Sequence, residues 1–374
     1  MLLSSAALKG IAAYEYHPGS LTWLDTKFTV YWDAIVARLP RTLAPNAITI
    51  FGTLLTITSS LALFARMPTM TEEAPTDVCI ICALALFLYQ TCDAIDGKQA
   101  RRTGSSSSLG QLLDHGGDAL CNVFSNLAVG VAIGTGASWS LMTLLSSTSI
   151  IFFLAQWEEY HTGTLRCGNG YVGVTEGLLL LVGLQLITAA FGHDVWNATA
   201  TATLSVRDIL ILVVAIAMTF QAKDNIVMVL KAINSAQASS LVHNRSTKAR
   251  ALSQLVPTLC VLGTSIVWML FNDVSGYAYT FFLAVGFSHV ILSSRMIVSH
   301  MCKVPFGAQP DVILGLAGVI FCLLYSSAPA AWIATLYLLA VVSAHSLYTV
   351  FVVSDICDYL NISLLTIRDR QVIP

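Results

Sequence analysis

From residue 46 to residue 353 the chain is a succession of long apolar runs separated by short polar breaks. A helix needs about 20 apolar residues to cross a hydrocarbon core. Ten stretches approach that length: 46–66, 78–100, 114–136, 138–160, 173–192, 206–226, 253–272, 278–299, 310–327 and 331–353. The sixth is the weakest, because Gln221, Lys223 and Asp224 crowd its end. Ahead of them, residues 21–41 mix Trp23, Phe28 and Trp32 with Lys27, Arg38 and Arg41, too polar to span. That segment reads as an interfacial helix on the cytosolic surface, or alternatively as an amphipathic segment packed on the bundle. The expected fold class is therefore all-α: a polytopic membrane helix bundle with about ten spans and an N-terminal interfacial amphipathic helix.

Composition agrees with lipid as the solvent. Of 374 residues, 56% are hydrophobic and only 11% charged, against roughly a quarter charged in soluble domains. The net charge of −2 gives no long-range field for a polyanion, so nucleic acid is not an expected partner. Lipids and small anions are. Cys79 and Cys82 form a CxxC, but it lies inside an apolar run, where packing is a better use than metal or redox chemistry. Met1–Gly10 lacks the basic start and the apolar length of a secretory signal.

Charge also orients the bundle. Lys9, Lys27, Arg38, Arg41, Lys98, Arg101, Arg102, Arg166, Lys223, Lys231, Arg245, Lys248, Arg250, Arg295, Lys303, Arg368 and Arg370 fall on one side of a ten-span chain, leaving Arg66 and Arg207 opposite. Both termini are then cytosolic, and the acidic loop with Glu72, Glu73 and Asp77 is lumenal. The Asn197-Ala-Thr199 sequon would be glycosylated, whereas Asn244-Arg-Ser246 and Asn361-Ile-Ser363 would stay bare.

Chemistry concentrates in one stretch: Asp93-Ala-Ile-Asp96-Gly97-Lys98-Gln99-Ala100-Arg101, then Gly110, Asp114 and Asp118. Asp93 and Asp96 are i,i+3 neighbours on a helix, and Asp114 and Asp118 are i,i+4 neighbours, so each pair projects from one face. Antiparallel helix ends joined by a 102–113 loop can bring the pairs together. Carboxylates converging at a membrane edge repel one another and lose hydration unless cations compensate them. Oxygen ligands suit Mg²⁺, Mn²⁺ or Ca²⁺, and ions so held commonly neutralise phosphate oxygens in a phosphoryl displacement. Arg101 can clamp a phosphate independently of metal. Gly97 lets a nucleotide lie against the main chain, and Gly110 permits close helix packing.

D-x2-D-G-x2-A-R-x8-G-x3-D-x3-D, complete here, resembles the signature of the CDP-alcohol phosphotransferases. DAIDGKQARRTGSSSSLGQLLDHGGD is similar to the cholinephosphotransferase and ethanolaminephosphotransferase branch, as are Pro45-Asn46, Trp157-Glu158-Glu159-Tyr160 and the number of spans. The resemblance implies Mg²⁺-dependent transfer of phosphocholine or phosphoethanolamine from CDP-choline or CDP-ethanolamine to diacylglycerol or alkylacylglycerol. It implies that Asp93, Asp96, Asp114 and Asp118 share two Mg²⁺, with Mn²⁺ a substitute, and that Asn46 and Arg101 contact the CDP-alcohol. His115 would be the base, assisted by Glu176, whose other reading is a helix cap. Asp118 competes for the base, as in distant members that lack the histidine. Glu158, Glu159 and His161 could line the acceptor path. On this reading residues 1–44 are a cytosolic segment, 45–226 the catalytic core and 227–374 a C-terminal bundle. A homodimer in the endoplasmic reticulum or Golgi, with its site facing the cytosol, also follows from the resemblance alone. The rival within enzymes joins CDP-diacylglycerol to inositol or glycerol phosphate, usually on a shorter chain. The rival outside enzymes is a transporter whose aspartates coordinate a permeating cation.

Overall fold

The computed structural model describes residues 2–17, 19, 21–166, 168, 172–201, 203–234 and 247–367. Among them the secondary structure is helical, apart from isolated bridge pairs. In chain order the helices are α1 (Ser5–Ala12), α2 (Trp23–Arg38), α3 (Pro45–Arg66), α4 (Thr76–Thr103), α5 (Ser108–Ala132), α6 (Trp139–Thr162), α7 (Val174–Phe191), α8 (Asp194–Asn197), α9 (Val206–Asn234), α10 (Lys248–Ser253), α11 (Val256–Phe271), α12 (Ala278–Met301), α13 (Pro310–Tyr325) and α14 (Ala330–Leu360).

Each expected span is a helix. By length and composition, eight segments can cross a membrane: α3, α4, α6, α7, α9, α10 with α11, α12 with its preceding 3-10 turn, and α14. The other two differ for physical reasons. In α5, Asp114, His115, Asp118, Asn122 and Asn126 dilute the apolar content, and α13 has only 16 residues. Of the ten expected spans, eight are thus long and apolar enough to cross a membrane, and the other two are one polar helix inside the bundle and one short helix.

Core position separates the helices. The apolar stretch of α12 is 83% buried, whereas those of α9 and α14 are 11% buried. Exposed Phe220, Phe271, Leu314, Trp332 and Leu336 line the outer surface, as expected where lipid replaces water. Contacts define two ends. At the basic end, Lys98 Nζ pairs with Asp33 at 2.8 Å, and Arg102 donates to the carbonyls of Val36, Ala37 and Leu39, capping the C-terminus of α2. The segment expected at the interface is therefore fixed to α4 through Trp32 and Val36, with Trp23 and Val30 left outward. At the opposite end Arg66 meets Asp77, and the Tyr279 hydroxyl donates to the Met67 carbonyl at 2.6 Å.

The first residues form a strap across the basic end. Asp355 of α14 accepts the Leu2 and Leu3 N–H groups at 2.5 and 2.8 Å. Buried Ala7 and Ile11 of α1 pack against Leu109, Ile297, Met301 and Ile356. Beyond α1, the His17 carbonyl accepts from Leu165 N–H at 3.2 Å, and Gly19 N–H donates to the Leu165 carbonyl at 2.7 Å.

Small residues set the spacing around α3, on which α4 and α5 both pack. A Cβ on Gly52 would come 2.8 Å from Cys92 Cβ, and one on Gly117 would come 2.7 Å from Thr53 Oγ1. Within lipid such close approach substitutes for a hydrophobic driving force. Cys79 and Cys82 are buried, and Cys82 Sγ donates to the Ser59 carbonyl, a packing role. Asn197 is exposed, and Asn361 caps α14 in a left-handed conformation. The Asn244-Arg-Ser246 sequon, with Arg245, and also Arg368 and Arg370 lie outside the described residues.

Gly52→Val should lower the Tm of the detergent-solubilised protein by several degrees, because overpacking typically costs about 1–3 kcal/mol. Gly263→Ala, with nothing within 4 Å of its new methyl, should not. An unchanged Tm for Gly52→Val would show that α3 and α4 have room to spare.

Candidate active site

The carboxylates meet between the C-terminal half of α4 and the N-terminal half of α5. Gly104, at φ +66°, stops α4 in the left-handed region that favours glycine, and the Ser107 hydroxyl accepts from Gly110 N–H at 3.2 Å to start α5. The connection is thus residues 104–107 rather than the expected 102–113 loop. Both helices outrun their apolar stretches, so Gly110 lies in the first turn of α5 and Asp114 beyond it.

Asp93, Asp114 and Asp118 form a group in which one carboxylate oxygen of each lies within 4.8 Å of the others. All three are half-buried. Asp114 Oδ1 is buried without a hydrogen-bond partner, and an orphaned carboxylate oxygen beside two more carboxylates is a strongly unfavourable arrangement unless a cation joins it. The donor set is all oxygen, which fits a hard divalent ion.

Asp96 stands at the edge of this group. It is buried, and its carboxylate accepts from the Thr49 hydroxyl of α3. On the other side, the buried Tyr89 hydroxyl donates to Asp118 Oδ1. Neither donor was anticipated from the sequence. Tyr89 had a signal, since it precedes Asp93 by four residues and shares its face of α4. Thr49 had none, because it belongs to a different helix.

Neighbouring basic and amide residues divide into structural and available groups. Gln99 donates to the Pro40 and Leu43 carbonyls at 2.9 and 3.2 Å, and Arg102 is occupied by α2. Arg101 is exposed and makes no hydrogen bond or ion pair among the described residues; its Nη1 lies 3.5 Å from where a Cβ on Gly97 would be. Gly97 otherwise faces open space, as a backbone that receives a ligand must. Asn46 donates through Nδ2 to the Leu364 carbonyl at 2.9 Å, and its Oδ1 faces Gly110.

His115 is buried, and its hydrogen-bond partner is not an aspartate. One residue beyond Asp114 it is turned about 100° from that side chain, but it is the i,i+3 neighbour of Asp118 on α5. There Gln111 Nε2 lies 2.6 Å from His115 Nε2, and the Tyr16 ring of the strap packs edge-on with centroids 5.7 Å apart. Next to it the Tyr14 hydroxyl donates to Glu159 Oε1 at 3.3 Å, and His300 Nε2 lies 3.6 Å from the same oxygen. Burial first, then the charge of Glu159, pushes the Tyr14 phenol well above its ordinary pKa. Glu176 accepts the Gly173 N–H at 2.8 Å, the capping arrangement that was the alternative reading of this residue. Glu158 pairs with Arg166 in the segment that follows α6, and His161 Nε2 lies 2.8 Å from Gln254 Oε1, between α10 and α11.

Known proteins resemble this chain along its length. Residues 42–204 match the family model described as CDP-alcohol phosphatidyltransferase. Cholinephosphotransferase 1 of Xenopus laevis is 31% identical over 376 residues, covering 99% of this chain and 92% of that protein. Choline/ethanolaminephosphotransferase 1 of Arabidopsis thaliana is 30% identical over 97% of this chain and 98% of its own. Cholinephosphotransferase 1 of Gallus gallus reaches 43% identity over a shorter region, 52% of this chain and 58% of that protein.

Removing the Tyr89 hydroxyl should loosen ion binding. Losing an outer partner of a metal ligand typically weakens affinity about 10- to 100-fold, so Tyr89→Phe should shift a calorimetric Mn²⁺ titration by that factor. An unshifted titration would leave Tyr89 a packing residue.

Proposed function

This chain belongs to the CDP-alcohol phosphatidyltransferase family, and on that footing we propose that it transfers phosphocholine or phosphoethanolamine from the CDP-alcohol to diacylglycerol or alkylacylglycerol. The products are phosphatidylcholine or phosphatidylethanolamine, or their ether analogues, and CMP. The observation that carries the reading is the three-carboxylate group with an unsatisfied Asp114 oxygen, next to an unengaged Arg101 and an open Gly97.

Asp93, Asp114 and Asp118, with Asp96 behind them, would hold two Mg²⁺, or Mn²⁺ in their place. Ions so held supply positive charge to a diphosphate and offset the charge that develops as it is cleaved. Arg101 grips a phosphate from the exposed side, and Asn46 and Gly97 border the nucleotide. Thr49 and Tyr89 fix two of the carboxylates, so the ligands are oriented before substrate arrives.

The acceptor's hydroxyl oxygen forms a bond to the β-phosphorus, and the bond from that phosphorus to the bridging oxygen breaks, releasing CMP. His115 takes the hydroxyl proton; a neutral imidazole is suited to this near neutral pH. Asp118 is the rival base, but its carboxylate already receives the Tyr89 hydroxyl and belongs to the ion-binding group. Glu176 would assist by positioning the acceptor once free of its cap. Orientation follows the charge pattern: the basic end in the cytosol, in endoplasmic reticulum or Golgi membrane, on a homodimer whose protomers each carry a complete site.

Purified protein in detergent, given diacylglycerol, Mg²⁺ and each CDP-alcohol in turn, should release CMP and form phospholipid. EDTA should abolish this. Asp93→Asn should remove nearly all turnover, and His115→Ala should lower it about 10²- to 10⁴-fold, the usual worth of a positioned base. Full turnover after chelation would overturn the metal assignment. Unchanged turnover in His115→Ala would move the base to Asp118.

A further inference from the structure

The imidazole of His115 has a hydrogen-bond partner to which no role has yet been given. Gln111 lies one turn before it on α5, and Gln111 Nε2 is 2.6 Å from His115 Nε2. Residues four apart on a helix share a face, so the two side chains meet without help from another element. The histidine is only 4% exposed, and the Tyr16 ring packs edge-on against it with centroids 5.7 Å apart. Leu109 and Leu112, from the same turns of α5, are buried with Ile297 and Met301 of α12. The amide, rather than bulk solvent, is therefore what the ring bonds to.

The direction of that bond decides what the ring can do. A neutral imidazole has one N–H and one bare nitrogen, and a glutamine amide has an NH2 at one end and a carbonyl oxygen at the other. A half-turn about the last side-chain bond exchanges these ends in nearly the same place. With the NH2 toward the ring, it donates to a bare Nε2; the ring proton is then on Nδ1, and the lone pair that could take up a proton is already engaged. With the carbonyl toward the ring, Nε2–H donates to Gln111 and Nδ1 is left bare. Only the second arrangement gives a base that is both oriented and free.

We propose that Gln111 positions His115, its carbonyl oxygen accepting Nε2–H so that Nδ1 takes the proton of the acceptor hydroxyl. This rests on the reading of His115 as the base. As the hydroxyl oxygen bonds to the β-phosphorus and CMP leaves, the hydroxyl proton passes to Nδ1, and the ring becomes an imidazolium whose Nε2–H still points at Gln111. A hydrogen bond from a charged donor is roughly twice as strong as a neutral one, so this contact tightens as the proton moves. An interaction stronger in the transition state than in the ground state raises kcat instead of lowering KM. Gln111 thus acts through His115, as a positioning residue.

The test uses the full chain in nanodiscs with Mg²⁺, diacylglycerol and, separately, CDP-choline and CDP-ethanolamine. Gln111→Met keeps the length of the side chain without its amide. It should lower kcat about 10- to 100-fold, the worth of one hydrogen bond to a charged group, and leave both KM values within about twofold. Gln111→Glu, whose carboxylate can only accept, should recover most of that loss. In a His115→Ala background Gln111→Met should cost nothing further, because both changes disable the same unit. Nitrogen NMR of histidine-labelled protein at mildly alkaline pH, with the His115 signal identified by its loss in His115→Ala, should show the Nε2–H tautomer, and a mixture of tautomers in Gln111→Met. Full kcat in Gln111→Met, no recovery in Gln111→Glu, an equal loss in the His115→Ala background, or an Nδ1–H tautomer in the unaltered protein would each overturn the proposal. Unchanged turnover in His115→Ala beside an Nε2–H tautomer would sink the base and not the hydrogen bond; lost turnover beside an Nδ1–H tautomer would do the reverse.

Discussion

Like charge held at the edge of a low-dielectric layer is the constraint around which this protein is built. Carboxylate oxygens of Asp93, Asp114 and Asp118 lie within 4.8 Å of one another between the packed helices α4 and α5. Left to themselves they would splay apart or take up protons. Neighbouring helices prevent the first by anchoring Asp96 to Thr49 and Asp118 to Tyr89. Bound cations would answer the second.

Holding three helices close enough for this requires nearly bare helix surfaces, because lipid gives no hydrophobic reward for bringing them together. Gly52 and Gly117 supply those surfaces on α3 and α5. The same helices carry Thr49, Asp114 and Asp118, so close packing and the carboxylate group share helices. The buried α12 then supports α5 from behind: a Cβ on its Gly286 would come 2.4 Å from Val123 Cγ1.

Much of this was legible in the sequence, and the failures have definite causes. Hydrophobic runs revealed the helices because a span must be continuously apolar. The aspartate spacing revealed the carboxylate group because i,i+3 and i,i+4 positions share a face regardless of context. Span count was less secure, since α5 is sheltered by other helices and tolerates Asn122 and Asn126 where a lipid-facing helix would not. The loop between α4 and α5 was overestimated because polar residues after Ala100 look like a break, although Arg102 continues the helix by binding α2. The surroundings of His115 were hidden entirely. They depend on residues 14–17 crossing the bundle, and nothing local in a short, mixed segment encodes where it will come to rest.

That crossing has a consequence for how the protein is made. Asp355, which secures Leu2 and Leu3, is in the last helix, and the apolar bed of α1 includes Ile356. A ribosome delivers the strap long before its anchor, so these residues must wait through the synthesis of every intervening span. The wall beside His115 is therefore assembled only after α14 has been made, and a product cut short before α14 would have its aspartates but lack the anchor of the strap over His115.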